Sequence, residues 1–465
     1  MRYISTRGLA PILGFEDTLF EGLANDGGLY VPEYWPTLDI NTFRGLDYID
    51  TATKVLENFV SKEISNKDLM NLIKGSYTNF SLDGGKEIAP LIEISKDFWL
   101  LQLYNGPTLA FKDFALQLLG KLFEFFLSKS KKDIVILGAT SGDTGSAAIE
   151  AFKGKNNIKI VILHPYGRVS SFQRKQMTTV SDENVFNLAI NGTFDDCQFL
   201  VKELFKNRDF RLKANLAAVN SINIARVIIQ TVYFIYSYMR VLQNSSHINF
   251  SVPTGNFGNI FAGYIAQEMG LKKAPLVLAT NKNDILSRFF NSGKYIKNEV
   301  FSTISPSMDI QVASNFERYM FDLLGRDSKE LKNKMEIFDL KGSLTVSDSK
   351  LSIAKKRFVS GSLGEQETLK VIRKVYKDSG VIIDPHTAVA VGVMQSFYVN
   401  QKNPAIVMST AHPAKFSNSV KKALGVSPKI PEKLSKVLHL KERYVKLKSD
   451  TNVVKDYIEN NVLKK

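Results

Sequence analysis

The chain has 465 residues, 44% hydrophobic and 23% charged, with a formal net charge of +15, which fits two or three globular domains with real cores. The basic excess invites anionic partners. The lysines are scattered among acids, however, and are densest only from Lys415 to Lys465, and no nucleic-acid motif accompanies them, so no nucleic-acid partner is expected.

The single cysteine, Cys197, excludes an internal disulfide and a cysteine metal cluster, and it fits a reducing cytoplasm. It falls in a predicted helix as a buried, inert thiol rather than a nucleophile. The first residues, MRYISTRGLAPILGF, carry no signal-peptide pattern. The most apolar helix, from Val227, is short and interrupted by polar residues, so it predicts a core helix rather than a membrane span.

In chain order, the first ninety or so residues are mostly helical, with an extended DGGLYVPEYWP stretch after Gly27-Gly28 and helical apolar spacing from Thr42 to about Lys74. Asp83-Gly84-Gly85 marks an expected boundary, and two short strands follow, IAPLIEI and DFWLLQLY. GPTLAFKDFA then places Lys112 between Phe111 and Asp113. Thr108 is expected to cap a helix running from Leu109. Lys112 would sit in its first turns, where the helix dipole and burial both favour the neutral amine. A neutral amine suits Schiff-base chemistry, although a lone lysine on an amphipathic helix is ordinarily just solvated.

Next comes a βαβ pattern: a strand at Asp133–Leu137, a small-residue helix at Ser146–Phe152, and a strand from Asn157. The turn GATSGDTG between them has GxxxGxxG spacing, not GxGxxG, and no acid ends the second strand to hold a ribose. A dinucleotide site is therefore poorly supported. No Lys-Ser/Thr follows the last glycine, which removes a P-loop. What remains is either a pocket for a small anion, with Thr140, Ser141, Asp143 and Thr144 as partners, or merely a tight glycine-rich turn.

VNSINIAR puts Asn220, Ser221, Asn223 and Arg226 at the head of the apolar helix, to cap it or to touch a substrate. PTGNFGN repeats the strand–glycine loop–helix logic and offers N–H donors from Gly255 to Asn259. A strand from Leu276 leads to a helix start at Asn281–Asp284, and SNFER opens another helix at Ser314. Phe321 to Lys377 reads as mixed helix and polar linker. SGVII predicts a strand before the DPH turn and a small-residue helix, and a buried strand from Ala405 ends at Ser409-Thr410. Five histidines show no metal-ligand spacing, so no metal is expected. Two anion cradles plus a Schiff-base lysine suggest a phosphorylated cofactor and an anionic substrate.

YISTRG, DGGLYVP, GPTLAFKDFA, GATSGDTGSAA, NSINIAR, PTGNFGN, SNFER, DPHTAVA and STAHPAKF, in that order, span nearly the whole chain. Together they resemble the threonine synthase family of the longer bacterial and fungal type, among the fold type II pyridoxal-phosphate enzymes. The family commonly has a tryptophan where Ile224 stands. The resemblance implies an α/β fold with a helical N-terminal domain (1–90), a large cofactor-binding domain (91–118 and 218–465) and a small mobile α/β domain (119–217). It implies pyridoxal 5'-phosphate on Lys112 beside Phe111, its phosphate in the loop Gly255, Asn256, Phe257, Gly258 and Asn259, Thr410 facing the pyridine nitrogen, and Asp143 near the cofactor hydroxyl. Ser141, Gly142 and Thr144, with Thr140, would hold the substrate carboxylate. Asn281, Asp284, Ser314, Asn315 and Arg318 are candidates for the substrate phosphate. The implied reaction turns O-phospho-L-homoserine and water into L-threonine and phosphate, in the cytoplasm, by a monomer or homodimer. A related phospho-lyase releasing 2-oxobutyrate is the alternative.

Overall fold

In the computed structural model, the apolar runs of the sequence build two main sheets, and two short antiparallel pairs accompany them among the described residues. Residues 1–82, 84–130, 132–242, 247–272, 274–398 and 403–464 are described. Asp83 of the expected boundary lies outside them. The larger sheet has six strands in the order Phe358–Ser362, Leu276–Thr280, Asn249–Pro253, Ala405–Ser409, Phe98–Gln102, Leu91–Ser95. Its neighbours are parallel except for the last pair, an antiparallel hairpin. Three of its inner strands, Leu276–Thr280, Asn249–Pro253 and Ala405–Ser409, are buried along their whole length, as strands covered on both faces are.

The smaller sheet has five parallel strands in the order Val445–Lys448, Val185–Asn191, Ile158–Pro165, Ile134–Ala139, Leu216–Ala217. The expected βαβ unit is its centre. Its outer member corrects the domain expectation, because the chain end does not stay with residues 218–465 around the large sheet. Val445–Lys448 pairs with Val185–Asn191, and Val454, Ile458 and Val462 pack with Cys197, Leu200 and Leu204. Those three apolar residues recur at helical spacing and need a face to cover. Lysines on this four-residue edge strand also account for part of the C-terminal basic charge.

Before the sheets, the helices Tyr48–Val60 and Asn66–Tyr77 bury Val55, Leu56, Phe59, Val60, Leu69 and Ile73. Tyr3–Ser5 pairs with Tyr30–Pro32. Beneath them runs Ile224–Val241, buried on almost every face, the core helix its largely apolar sequence predicts. Among the described residues no helix is long and apolar enough to cross a membrane.

Three local expectations fail. The lysine helix runs from Lys112 to Ser130, not from Leu109. Leu109 has φ 57°, and Thr108 turns its hydroxyl onto Asp113 instead of capping backbone. No strand forms before Asp384, whose carboxylate accepts the N–H groups of His386 and Thr387 to start the helix Pro385–Tyr398. The supposed linker after Phe321 contains Phe358–Ser362, an edge strand of the large sheet. Its Ser and Gly content hid the strand pattern.

Candidate active site

Strand ends of both sheets open into one cleft of about 2730 Å3, the place where α/β sheets gather ligand groups. From the large sheet come Thr254 to Asn259 and Thr410; from the small one come Thr140, Ser141 and Thr144; Phe111 and Lys112 also line it.

Lys112 is the first residue of its helix, and its side chain is 14% exposed. The turn before it is rigid. Leu109 is wholly buried, Phe111 N–H donates to Thr410 O at 2.9 Å, and the Phe111 ring lies 5.7 Å from Lys112 Nζ. Burial, helped by Arg226 and Lys415, pushes the amine down to about 8, while Asp143 and Asp113 pull the other way. The result is an amine partly neutral near pH 7, as nucleophilic work requires.

Asp143 opens the helix Asp143–Phe152, with Oδ2 3.9 Å from Lys112 Nζ. Gln173 and Lys415 donate to Oδ1 at 2.9 and 2.7 Å, and Ser307 donates to Oδ2 at 3.3 Å. Burial alone would raise this carboxyl, but Lys415 and Lys112 hold it well below the usual range. Gly142 precedes it at φ 149°, where a Cβ would also stand 2.6 Å from Gln173, so only glycine fits. Thr140 Oγ1 accepts from the Gly142 and Gly145 N–H groups and so shapes the loop. Ser141 and Thr144 line the cleft.

The second glycine loop is shaped for a ligand. Phe257 takes φ 64°, held there by packing against Phe261, Phe290, Phe316, Tyr319 and Phe358. The helix Gly258–Glu268 starts behind it, so its first N–H groups are free of intrahelical partners and aim at the cleft end. A Cβ on Gly255 would stand 2.8 Å from Ser307 O. Asn259 accepts from Tyr233 at 2.7 Å, and its buried Nδ2 has no partner. This cradle with an orphaned donor fits a phosphate, and Lys112 fits an aldehyde.

The five residues expected at the substrate phosphate separate. Ser314 lines the cleft, with Oγ 3.0 Å from Ser221 Oγ and donating to Asn256 at 3.2 Å. Asn281, Asp284, Asn315 and Arg318 are not among the lining residues. Asn281 spends its amide on Thr303, Ser305 and Asp309. Asp284 pairs with Arg288 at 2.9 Å. Asn315 donates to Asn256 O at 3.2 Å. Arg318, wholly buried and pushed down to about 9 by that burial, donates to Tyr30 O, Ile222 O and Asn315 Oδ1. Asn281, Asn315 and Arg318 act as braces, their polar atoms bonded to protein, and Asp284 is paired with Arg288.

Other polar residues face the cleft, among them Arg226, which the sequence offered as a helix cap or a substrate contact. Arg226 lines the cleft and is 3% exposed. It donates to Val219 O at 3.0 Å, and its Nε has no partner. Burial pushes this guanidinium down to about 10. A buried cation with an idle donor is costly unless an anion meets it. Asn223, its neighbour, is a cap after all, accepting from Ala225 N–H at 3.1 Å. His386 also lines the cleft; its Nε2 accepts from Ser307 N–H at 3.2 Å, and its Nδ1 lies 2.8 Å from Asp384. His386 and Lys415 stood in DPHTAVA and STAHPAKF with no role assigned, and Ser307 had no sequence signal.

Comparison with known proteins settles the kinship. Residues 2–77 match the family model of the threonine synthase N terminus, residues 85–340 that of the pyridoxal-phosphate dependent enzymes, and residues 387–458 that of the threonine synthase C-terminal region. A threonine synthase of Pseudomonas aeruginosa is 45% identical over 98% of both chains. The chain belongs to the threonine synthase family. Its fold agrees with that of PLP-bound threonine synthase from Brucella melitensis, at TM-score 0.94, 42% identity and 99% coverage of each chain. The yeast threonine synthase structure superposes at TM-score 0.93 and 39% identity, covering 100% of this chain and 99% of that one. The threonine synthase family membership makes this a PLP-dependent lyase of fold type II, acting on a small molecule.

Proposed function

We propose that this chain converts O-phospho-L-homoserine and water to L-threonine and phosphate, on the site just described. The observation that carries it is the pairing, in one cleft, of a low-pKa lysine with two separate anion-seeking features. Lys112 would hold pyridoxal phosphate, with its phosphate against the Gly255–Asn259 N–H groups and Thr410 on the ring. When bound, that group supplies the electron sink the carbanion chemistry needs.

The protein's own residues do the rest. The N-terminus of Asp143–Phe152, with Ser141, Gly142 and Thr144, binds the substrate carboxylate. Arg226, with Ser314 and Ser221 lining the same cleft, binds the phosphate that leaves and stabilises its charge at departure. Lys112 Nζ takes the proton from the substrate Cα and returns protons to carbon. Anion binding at both ends fixes the substrate across the lysine. The finer readings belong to the same proposal: an N-terminal domain to about residue 90, a small-sheet domain closing on substrate to exclude water, a cytoplasmic location, and a monomer or homodimer.

The test is to supply phosphohomoserine and assay phosphate and threonine together. Threonine in step with phosphate supports the proposal; 2-oxobutyrate in its place replaces it with the phospho-lyase reading. Borohydride reduction of the PLP-loaded protein should tag Lys112, and Lys112→Ala should lose the violet absorbance while staying folded.

A further inference from the structure

Lys415 is unexplained by the chemistry above. Its side chain is wholly buried, although lysines are seldom buried without a reason. Nζ donates to Asp143 Oδ1 at 2.7 Å and to Thr108 O at 2.8 Å. Asp143 presents its other oxygen to Lys112 at 3.9 Å. One buried carboxylate therefore sits between two lysines, one reactive and one not.

Any use of Lys112 as a neutral amine, or as a nitrogen bonded to an aldehyde carbon, alters or removes the ammonium facing Asp143. A buried carboxylate stripped of its cation would take up a proton or pull the ammonium back. Lys415 prevents both, because it stays whatever Lys112 does. We propose that Lys415 is a positioning residue: the permanent counter-ion of Asp143, which neutralises that carboxylate so that Lys112 can lose its charge, while its bond to Thr108 O ties the turn before Lys112 to the segment after Thr410. The proposal rests on the reading of Lys112 as the reactive amine. The charged groups bearing on Lys112 are Asp143, Asp113, Arg226 and Lys415, with the His386 ring reaching the cleft through Ser307. Of the two cations, Lys415 is the one bonded to Asp143.

The test titrates Lys112 directly, in the full chain freed of cofactor. Acylation of Lys112 by a small acid anhydride, with release of the carboxylate, is measured by peptide mass spectrometry from about pH 6 to 10. In Lys415→Met, Asp143 has only Lys112 left, and the midpoint should rise by about one pH unit or more. In Asp143→Asn it should fall, because Lys415 is left unopposed. In the double variant, neutral replaces neutral, and the midpoint should return to that of the wild type. A packing role for Lys415 would not be rescued by Asp143→Asn. An unmoved midpoint in Lys415→Met overturns the proposal, as does a double variant that still titrates like Lys415→Met. If Lys415→Met alone fails to fold, the double variant decides: folding with the wild-type midpoint supports the proposal, and misfolding or a displaced midpoint overturns it. Failure of wild-type Lys112 to capture added PLP would instead sink the functional reading, independently of these midpoints.

Discussion

The Asp113 carboxylate folds back on Thr108, taking its N–H at 2.8 Å and its hydroxyl at 2.7 Å, so the residue after Lys112 locks the turn before it. Burial raises Asp113 to about 6 despite those bonds. Its folded value lies above the ordinary one, so the folded state binds more protons between about pH 4 and 6, and stability falls as pH rises through that window. Two pH units correspond to about 3 kcal/mol. Asp113→Asn should flatten this part of the curve, measured as the difference between wild-type and variant urea midpoints from about pH 4 to 7. Parallel curves would show that Asp113 titrates normally.

Arg226 tests the proposed leaving-group site. Arg226→Gln removes a buried cation that has no carboxylate partner, so thermal stability should hold or rise. Turnover of the phosphorylated substrate should drop by about 10²–10³-fold, with the absorbance of bound cofactor unchanged. Inhibition by inorganic phosphate should weaken in parallel. A variant that keeps full kcat/KM would move the phosphate elsewhere.

Arg318 should behave in the opposite way. Its three bonded acceptors would be left bare in Arg318→Met, costing about 3 kcal/mol of stability. Inorganic phosphate should inhibit the folded variant almost as it does the wild type. Urea unfolding and the inhibition constant separate a brace from a ligand; a large loss of phosphate binding with intact stability would restore the reading made from sequence.

For Gly255, the contact that decides is Ser307 O, 2.8 Å from where an alanine Cβ would stand. Backbone cannot swing aside as a side chain can, so Gly255→Ala must displace the loop whose N–H groups are proposed to hold the cofactor phosphate. PLP affinity should fall by roughly tenfold or more, about 1.4 kcal/mol, by absorbance titration. Far-ultraviolet circular dichroism should stay as in the wild type.

The family was legible in the order of residues alone, and so were one lysine, two glycine loops and a strand end that the fold gathers into one cleft. Such signals are local, because a loop that cradles an anion needs its glycines within a few residues of one strand and one helix. Folding in three dimensions settled which polar residues are spent. Arg226 and Arg318 look alike in sequence, each near the start of a helix, yet one keeps an idle donor in the cleft and the other is consumed by backbone carbonyls. It also settled that Lys415, distant in sequence, meets Asp143, and that the chain end returns to the small sheet. Those outcomes depend on partners brought together from hundreds of residues away, and a buried charge is defined by the partners it meets there.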